Sequence, residues 1–189
     1  MKWLYVIGAI VLVAIGFIFF QLPQPIIELK PDAVVHAGDL FDSNVQPRRS
    51  VERVAAQLQR LVHAKIRTVI APGTHDAYDR ASIYRAYDLK ALAGSTQDDD
   101  MVTVATPEAS TIHLAACDVV IHAPVFPTKR APHSPLRDLD AAASGPGATY
   151  RIGLVHGSIA IPGKTDRDEV VFTTEEIAAT HLDYLALGH

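Results

Sequence analysis

The chain has 189 residues, enough for one domain with a sizeable core and too few for two full ones. Hydrophobic residues make up 49% and charged residues 20%, the balance of a globular domain with an apolar segment added. A net charge of −4 gives no support to a surface that grips nucleic acid as a whole, and a single cysteine, Cys117, excludes an intrachain disulfide and a cysteine zinc cage.

From Trp3 to Phe20 run 18 residues without a charge, about the lower limit for a bilayer-spanning helix. The bulky Phe19, Phe20, Gln21 and Leu22 offer no small-x-small cleavage site. The expectation is therefore a retained N-terminal membrane anchor over residues 1–21, with a buried helix in a cytoplasmic protein as the alternative. Lys2 and Lys30 nearly cancel across it, so orientation is unreadable. A linker over 22–30 and one domain over 31–189 follow.

Ala33 to Ala37 reads as a buried strand ending at Gly38. Ser50 suits a helix cap, and Val51, Val54, Ala55, Leu58, Leu61 and Val62 keep helical spacing after it. Thr68 to Ala71 is a strand stopped by Pro72-Gly73, and Ala81 to Leu92 has helical composition. Three short strands follow at Met101–Ala105, Thr111–Ala115 and Asp118–Ile121, with Cys117 filling an apolar gap among them. Pro124 to Gly147 is a long loop with a helical turn around Leu136–Ala143. Tyr150–Val155 is a strand, Thr174–Thr180 a short helix behind a capping signal with Glu176, and Asp183–Leu187 the last strand. The alternation predicts an α/β layered fold, with central mixed β-sheets flanked by helices and two sheets packed together or one partly antiparallel.

Four strands end in glycine beside a metal-capable side chain: Gly38-Asp39-Leu40-Phe41-Asp42, Gly73-Thr74-His75-Asp76, His156-Gly157 and Gly188-His189. Loops at the carboxyl ends of strands converge in α/β sheets, and carboxylate with imidazole suits manganese, iron or zinc rather than calcium. Each pair alone is a common turn or a structural histidine. Their joint order is the signal.

AVVHAGDLFDS, VIAPGTHD, GLVHG and DYLALGH resemble the second to fifth motifs of the calcineurin-like metallophosphoesterase superfamily. HAGDLFDS and LDYLALGH are similar to its SbcD-type DNA-repair exonuclease branch. The resemblance spans Pro31 to His189 and implies a phosphodiesterase with manganese as the usual ion, DNA ends as substrate and a coiled-coil ATPase partner. It implies Asp39, Thr74 (where the family has Asn), His156 and His189 as metal ligands. Asp39 would bridge two metals, His75 would assist the transition state, and Asp42 and Asp76 would hold the loops in shape. Two cations about 3.5–4 Å apart share a hydroxide that attacks phosphorus in line with the leaving oxygen.

The family's first motif, Asp-x-His, is absent, the apolar segment lies in its place, and the second His of the terminal Gly-His-x-His motif would fall beyond His189. One metal site reads as nearly whole and the other as stripped. The expectations are a truncated fragment, or a single-metal or non-catalytic relative acting as a tethered binding or regulatory protein. A small-molecule phosphoesterase fits the acidic balance.

Other features carry less. GSIAIPGKT, residues 157–165, resembles a phosphate loop with one residue too many. Tyr78, Arg80, Tyr84, Arg85 and Tyr87 form an aromatic-basic cluster that either contacts a nucleic-acid backbone or packs a helix. Lys129, Arg130 and Arg137 share that ambiguity. His36 either faces the site or is structural, His122 closes a strand, and His63, His113, His133 and His181 lack motif context.

Overall fold

Within the apolar N-terminus the described residues form strands rather than helix. The computed structural model describes residues 5–7, 10–13, 23–96, 99–128, 131, 133–144, 148–161 and 170–188. In it β1 (Tyr5–Ile7) and β2 (Ile10–Val13) pair antiparallel. β2 then runs parallel to β3 (Ala33–Ala37), with Val13 opposite His36. Among the described residues no helix is long and apolar enough to cross a membrane, which overturns the expected N-terminal anchor. An unbroken apolar run suits a strand of a buried parallel sheet as well as a spanning helix, and β-branched Val and Ile favour the strand. The expected linker contains α1 (Pro23–Leu29), whose Ile26 is buried.

β3 continues parallel to β4 (Arg67–Ala71), and β4 to β5 (Val102–Val104), giving the sheet order β1-β2-β3-β4-β5. Between β3 and β4 runs α2 (Arg48–His63), which buries Val51, Val54, Ala55, Leu58, Leu61 and Val62. Each such aliphatic side chain larger than Ala, once removed from water, contributes about 1.5–3 kcal/mol. The helix starts earlier than Ser50, behind Pro47 and without a side-chain cap, because the proline ring presets the entering backbone. The helical composition of 81–92 resolves into two single turns, α3 (Ile83–Ala86) and α4 (Leu89–Leu92), with Tyr87 extended between them. Ser82 and Asp88 each cap the turn that follows, offering the backbone an alternative to one continuous helix.

The second sheet has the order β11-β8-β7-β6. Its strands are β6 (Thr111–Leu114), β7 (Val119–His122), β8 (Tyr150–His156) and β11 (Tyr184–Gly188), with only β6 antiparallel. Cys117 lies in a 3-10 turn between β6 and β7, partly buried, rather than in a strand. β9 (Ser158–Ile159) and β10 (Val171–Phe172) form a small parallel pair, and α5 (Thr174–Ala179) carries the expected capping box of Thr173 and Glu176. Two cores result. One lies between the first sheet and α2, through Val34, Leu58 and Ile70. The other fills the space between the sheets, through Val35, Val69, Ile121 and Leu154. Facing the sheets this way brings the carboxyl ends of β3, β4 and β8 to one edge.

Candidate metal centre

The site begins with a tight turn after β3. Gly38 has φ +82, and a Cβ there would stand 2.2 Å from Nδ1 of His156. The glycine therefore serves both the left-handed backbone and the close approach of β8. Asp39 follows with φ 55, a left-handed conformation that Asp tolerates better than most residues. That turn aims its carboxylate toward β8, where His156 ends the strand.

His156 is 8% exposed and held from behind. Its Nδ1 lies 3.0 Å from the Ala37 carbonyl, which can only accept, so Nδ1 carries the proton. Nε2 is thereby turned to the site, 3.3 Å from Asp39 Oδ2 and 3.4 Å from Thr74 Oγ1. In that tautomer a carboxylate faces an imidazole acceptor, an arrangement a cation between them relieves. The donor separations match the edge of a tetrahedron with metal–ligand bonds of about 2.1 Å. Asp39, Thr74 and His156 thus fit one ion, with a backbone carbonyl orienting the histidine from the outer shell. Among the described residues no group of three His, Cys, Asp or Glu meets that purpose; here the third donor is a threonine hydroxyl. His189 lies outside the described residues, and the strand leading to it ends at Gly188, paired with His156.

The loop after β4 is fastened to the loop after β3. The His75 backbone N–H donates to Asp39 Oδ1 at 2.9 Å. The His75 ring holds the Asp42 carbonyl through Nδ1 at 3.0 Å, and the residue is exposed. Asp42 supports the site through its backbone oxygen, not its carboxylate. Asp76 is fully buried beneath both loops and accepts Gly73 N–H at 2.7 Å, Phe41 N–H at 3.1 Å and the Tyr84 hydroxyl at 2.5 Å. Burial raises the Asp76 carboxyl above its ordinary value, while the Tyr84, Gly73 and Phe41 donors pull it back. Burial, with the Asp76 charge, pushes the Tyr84 phenol up, so it remains a donor.

Sequence reasoning placed Tyr84 in an aromatic-basic cluster that either contacts a nucleic-acid backbone or packs a helix, and missed Asn44 and the Ala37 carbonyl. Asn44 donates to the Ala77 carbonyl and accepts the Ile83 N–H, both at 2.9 Å, securing the outer part of the second loop. Its position behind LFDS was the available signal; a backbone carbonyl leaves none. Arg85 stacks over Tyr78 at 4.3 Å, so part of that cluster packs against itself. Lys129, Arg130, Lys164 and Thr165 lie outside the described residues, and the phosphate-loop lookalike runs through β9. A cavity of about 350 Å³ lined by His122, Phe126, His133 and Asp138 contains none of the converging donors. It opens on the far face of the second sheet, since Val119 and Ile121, alternating with His122, fill the inter-sheet core. His181 pairs with Asp140 at 3.1 Å, also away from the centre.

His36 is fully buried on the helix-facing side of β3 with Val34, its pKa lowered to about 4 mainly by desolvation. An unfolded imidazole takes a proton near pH 6.5 while the folded one stays neutral until about pH 4, so the unfolded state binds more protons between those values. Stability therefore falls as pH drops through that window, by about 3 kcal/mol in all. Urea denaturation in chelator from pH 7.5 downward checks this, and His36→Leu flattens the profile.

A family model described as calcineurin-like phosphoesterase matches residues 17–159. Among solved structures, the chain is similar to the crystal structure of TT1561 of Thermus thermophilus. The TM-score is 0.50 and the identity 15%, over 89% of this chain and 74% of that one, a likeness that shows the fold. Comparison with curated proteins gives no match.

Proposed function

Because the chain belongs to the calcineurin-like phosphoesterase family and is a metal-dependent phosphoester hydrolase in class, we propose that it cleaves phosphodiesters at the edge where β3, β4 and β8 end. The observation that carries this is the convergence of Asp39 Oδ2 and Thr74 Oγ1 on His156 Nε2, at 3.3 and 3.4 Å. Asp39, Thr74 and His156 hold a divalent ion, manganese by resemblance, and the resemblance adds His189 to the set. Bound there, the ion supplies Lewis-acid polarisation and a water of lowered pKa. The protein supplies the rest. Asp39 contributes the negative charge, and Ala37 fixes the His156 tautomer. Asp76 and Tyr84 hold the two loops in register, which converts a loose encounter into an oriented one. His75, its Nδ1 committed to Asp42, offers Nε2 to protonate or stabilise the leaving oxygen.

The finer reading is an exonuclease of the SbcD type acting on DNA ends beside a coiled-coil ATPase. Its support is the wording of HAGDLFDS and LDYLALGH. The test measures hydrolysis of an activated aryl phosphodiester by the whole chain, with chelator and with manganese restored. Single strands, duplex ends and nucleotides then serve as competing substrates. We expect activity lost to chelator and regained with metal, and duplex ends cleaved faster than nucleotides. Nucleotides cleaved faster than either DNA would replace the exonuclease reading with a small-molecule phosphoesterase. No metal uptake with no turnover would leave a binding protein on the same fold.

A further inference from the structure

We propose that Asn44 is a positioning residue for His75, an inference that rests on the phosphoesterase reading of the same site. The loop after β3 lies along the loop after β4 through a row of hydrogen bonds. At its inner end the buried Phe41 donates its N–H to Asp76 Oδ2 at 3.1 Å. Next along, the Asp42 carbonyl meets His75 Nδ1 at 3.0 Å. At the outer end the Asn44 amide crosses to the second loop, where Nδ2 donates to the Ala77 carbonyl and Oδ1 accepts the Ile83 N–H, both at 2.9 Å. A carbonyl only accepts and an N–H only donates, so the amide has one orientation and uses both of its ends. Ile83 opens α3 and is buried, which gives Asn44 a fixed anchor. The bonds of its neighbours stay within the segment: Ser43 Oγ donates to the Val45 carbonyl, and Gln46 Nε2 to Ser43 Oγ. Asn44 is the outer fastening of the segment that carries Asp42.

That fastening reaches the chemistry through the His75 ring. His75 is exposed, and an exposed imidazole turns unless a hydrogen bond fixes it. The Asp42 carbonyl only accepts, so Nδ1 carries a proton and Nε2 is the nitrogen left to act on the leaving oxygen. In the reacting form both ring nitrogens are protonated. As the P–O bond breaks, the proton on Nε2 passes to the leaving oxygen, and the ring returns to neutral with its Nδ1–H still on Asp42. One hydrogen bond thus holds the ring before and after the transfer. Asn44 touches neither the ion nor the substrate. It keeps the Asp42 carbonyl where His75 needs it.

The test has one readout without metal and one with it. In the metal-free whole chain, at a pH where His75 is neutral, nitrogen NMR of the ring shows which nitrogen is protonated, the signals being assigned by their loss in His75→Ala. We expect Nδ1–H in the parent and a mixture of the two tautomers in Asn44→Ala. An unchanged Nδ1–H ring in folded Asn44→Ala overturns the proposal, whatever the protein hydrolyses. With manganese restored, the substrates are aryl methyl phosphates whose leaving groups run from 4-nitrophenol to the more basic phenol. Asn44→Ala is expected to slow the phenyl ester by about 10-fold and the 4-nitrophenyl ester by about 2-fold, part of the roughly 100- to 10,000-fold that acid–base catalysis supplies. In a His75→Ala background the same substitution adds nothing further. An equal loss along the series, or a loss that persists without His75, makes Asn44 a structural residue only and leaves the phosphoesterase reading intact. Hydrolysis of no ester by the parent removes that reading, and the proposal with it. Asn44→Asp, which keeps an acceptor for the Ile83 N–H but sets an oxygen against the Ala77 carbonyl, takes the place of Asn44→Ala if the latter does not fold.

Discussion

Asp39→Asn lowers metal-dependent phosphodiester hydrolysis by about 100- to 1000-fold without unfolding the protein. The substitution keeps everything about Asp39 except its charge and one oxygen. Asn accepts the left-handed backbone at φ 55 as readily as Asp does. Its amide oxygen still accepts the His75 N–H that Asp39 Oδ1 now accepts at 2.9 Å. That leaves the amide NH₂ on the side of His156, 3.3 Å from Nε2 in the present geometry, where it donates to the nitrogen meant for the ion. Metal Lewis acidity is worth several kcal/mol of transition-state stabilisation, and each 1.36 kcal/mol is a factor of ten, which sets the expected range. Relief of the carboxylate facing the imidazole acceptor keeps the melting temperature in chelator unchanged or slightly higher. Steady-state kinetics and calorimetry on the same preparations check both halves. Full activity in Asp39→Asn would show that hydrolysis happens elsewhere on the molecule.

Much of this centre is readable in the sequence because strand ends carry their own punctuation. Gly38-Asp39, Gly73-Thr74-His75-Asp76 and His156-Gly157 each follow an apolar strand, and the fold brings all three to one edge. The alternation of elements likewise foretells a layered α/β fold, with two packed sheets as one of its two readings. What the sequence withheld has physical causes. The run from Trp3 to Phe20 satisfies the length rule for a membrane helix, yet Tyr5–Ile7 and Ile10–Val13 are strands. Hydropathy alone does not distinguish a strand buried on both faces from a spanning helix. Residues 81–92 keep helical composition although Ser82 and Asp88 divide them by capping. The clamp of Asp76 by Tyr84 joins side chains eight residues apart across an irregular loop, a pairing no periodicity announces. The Ala37 carbonyl, which fixes the tautomer of His156, is a backbone atom and leaves no mark on residue identity.

Gly188→Ala is expected to cost about 3 kcal/mol of stability and to weaken metal binding as well. Gly188 ends β11, paired with His156 in the second sheet, and its backbone crosses directly over the end of β3. A Cβ at this position would stand 1.9 Å from the Ala37 carbonyl oxygen, and 2.9 Å from both the carbon of that carbonyl and the Ala37 Cβ. The obstacle is main chain on a central strand, hydrogen-bonded along both edges to β2 and β4, so no rotamer change makes room. Either β11 or β3 must shift to open that gap. Overpacking a well-filled interior costs about 1–3 kcal/mol and sometimes more, and a backbone clash belongs at the top of that range. For a chain of this size that corresponds to a melting temperature lower by roughly 6–12 °C. The second consequence follows from which oxygen is struck. Ala37 O accepts the His156 Nδ1–H at 3.0 Å, so displacing it frees the ring that presents Nε2 to the ion. Loss of such an orienting partner typically lowers metal affinity by about 10- to 100-fold. A destabilised variant that still binds manganese with native affinity would separate the two effects and show that the Ala37 carbonyl does not govern the ring. A variant as stable as the parent would mean that β11 does not pack on β3 as closely as Gly188 permits.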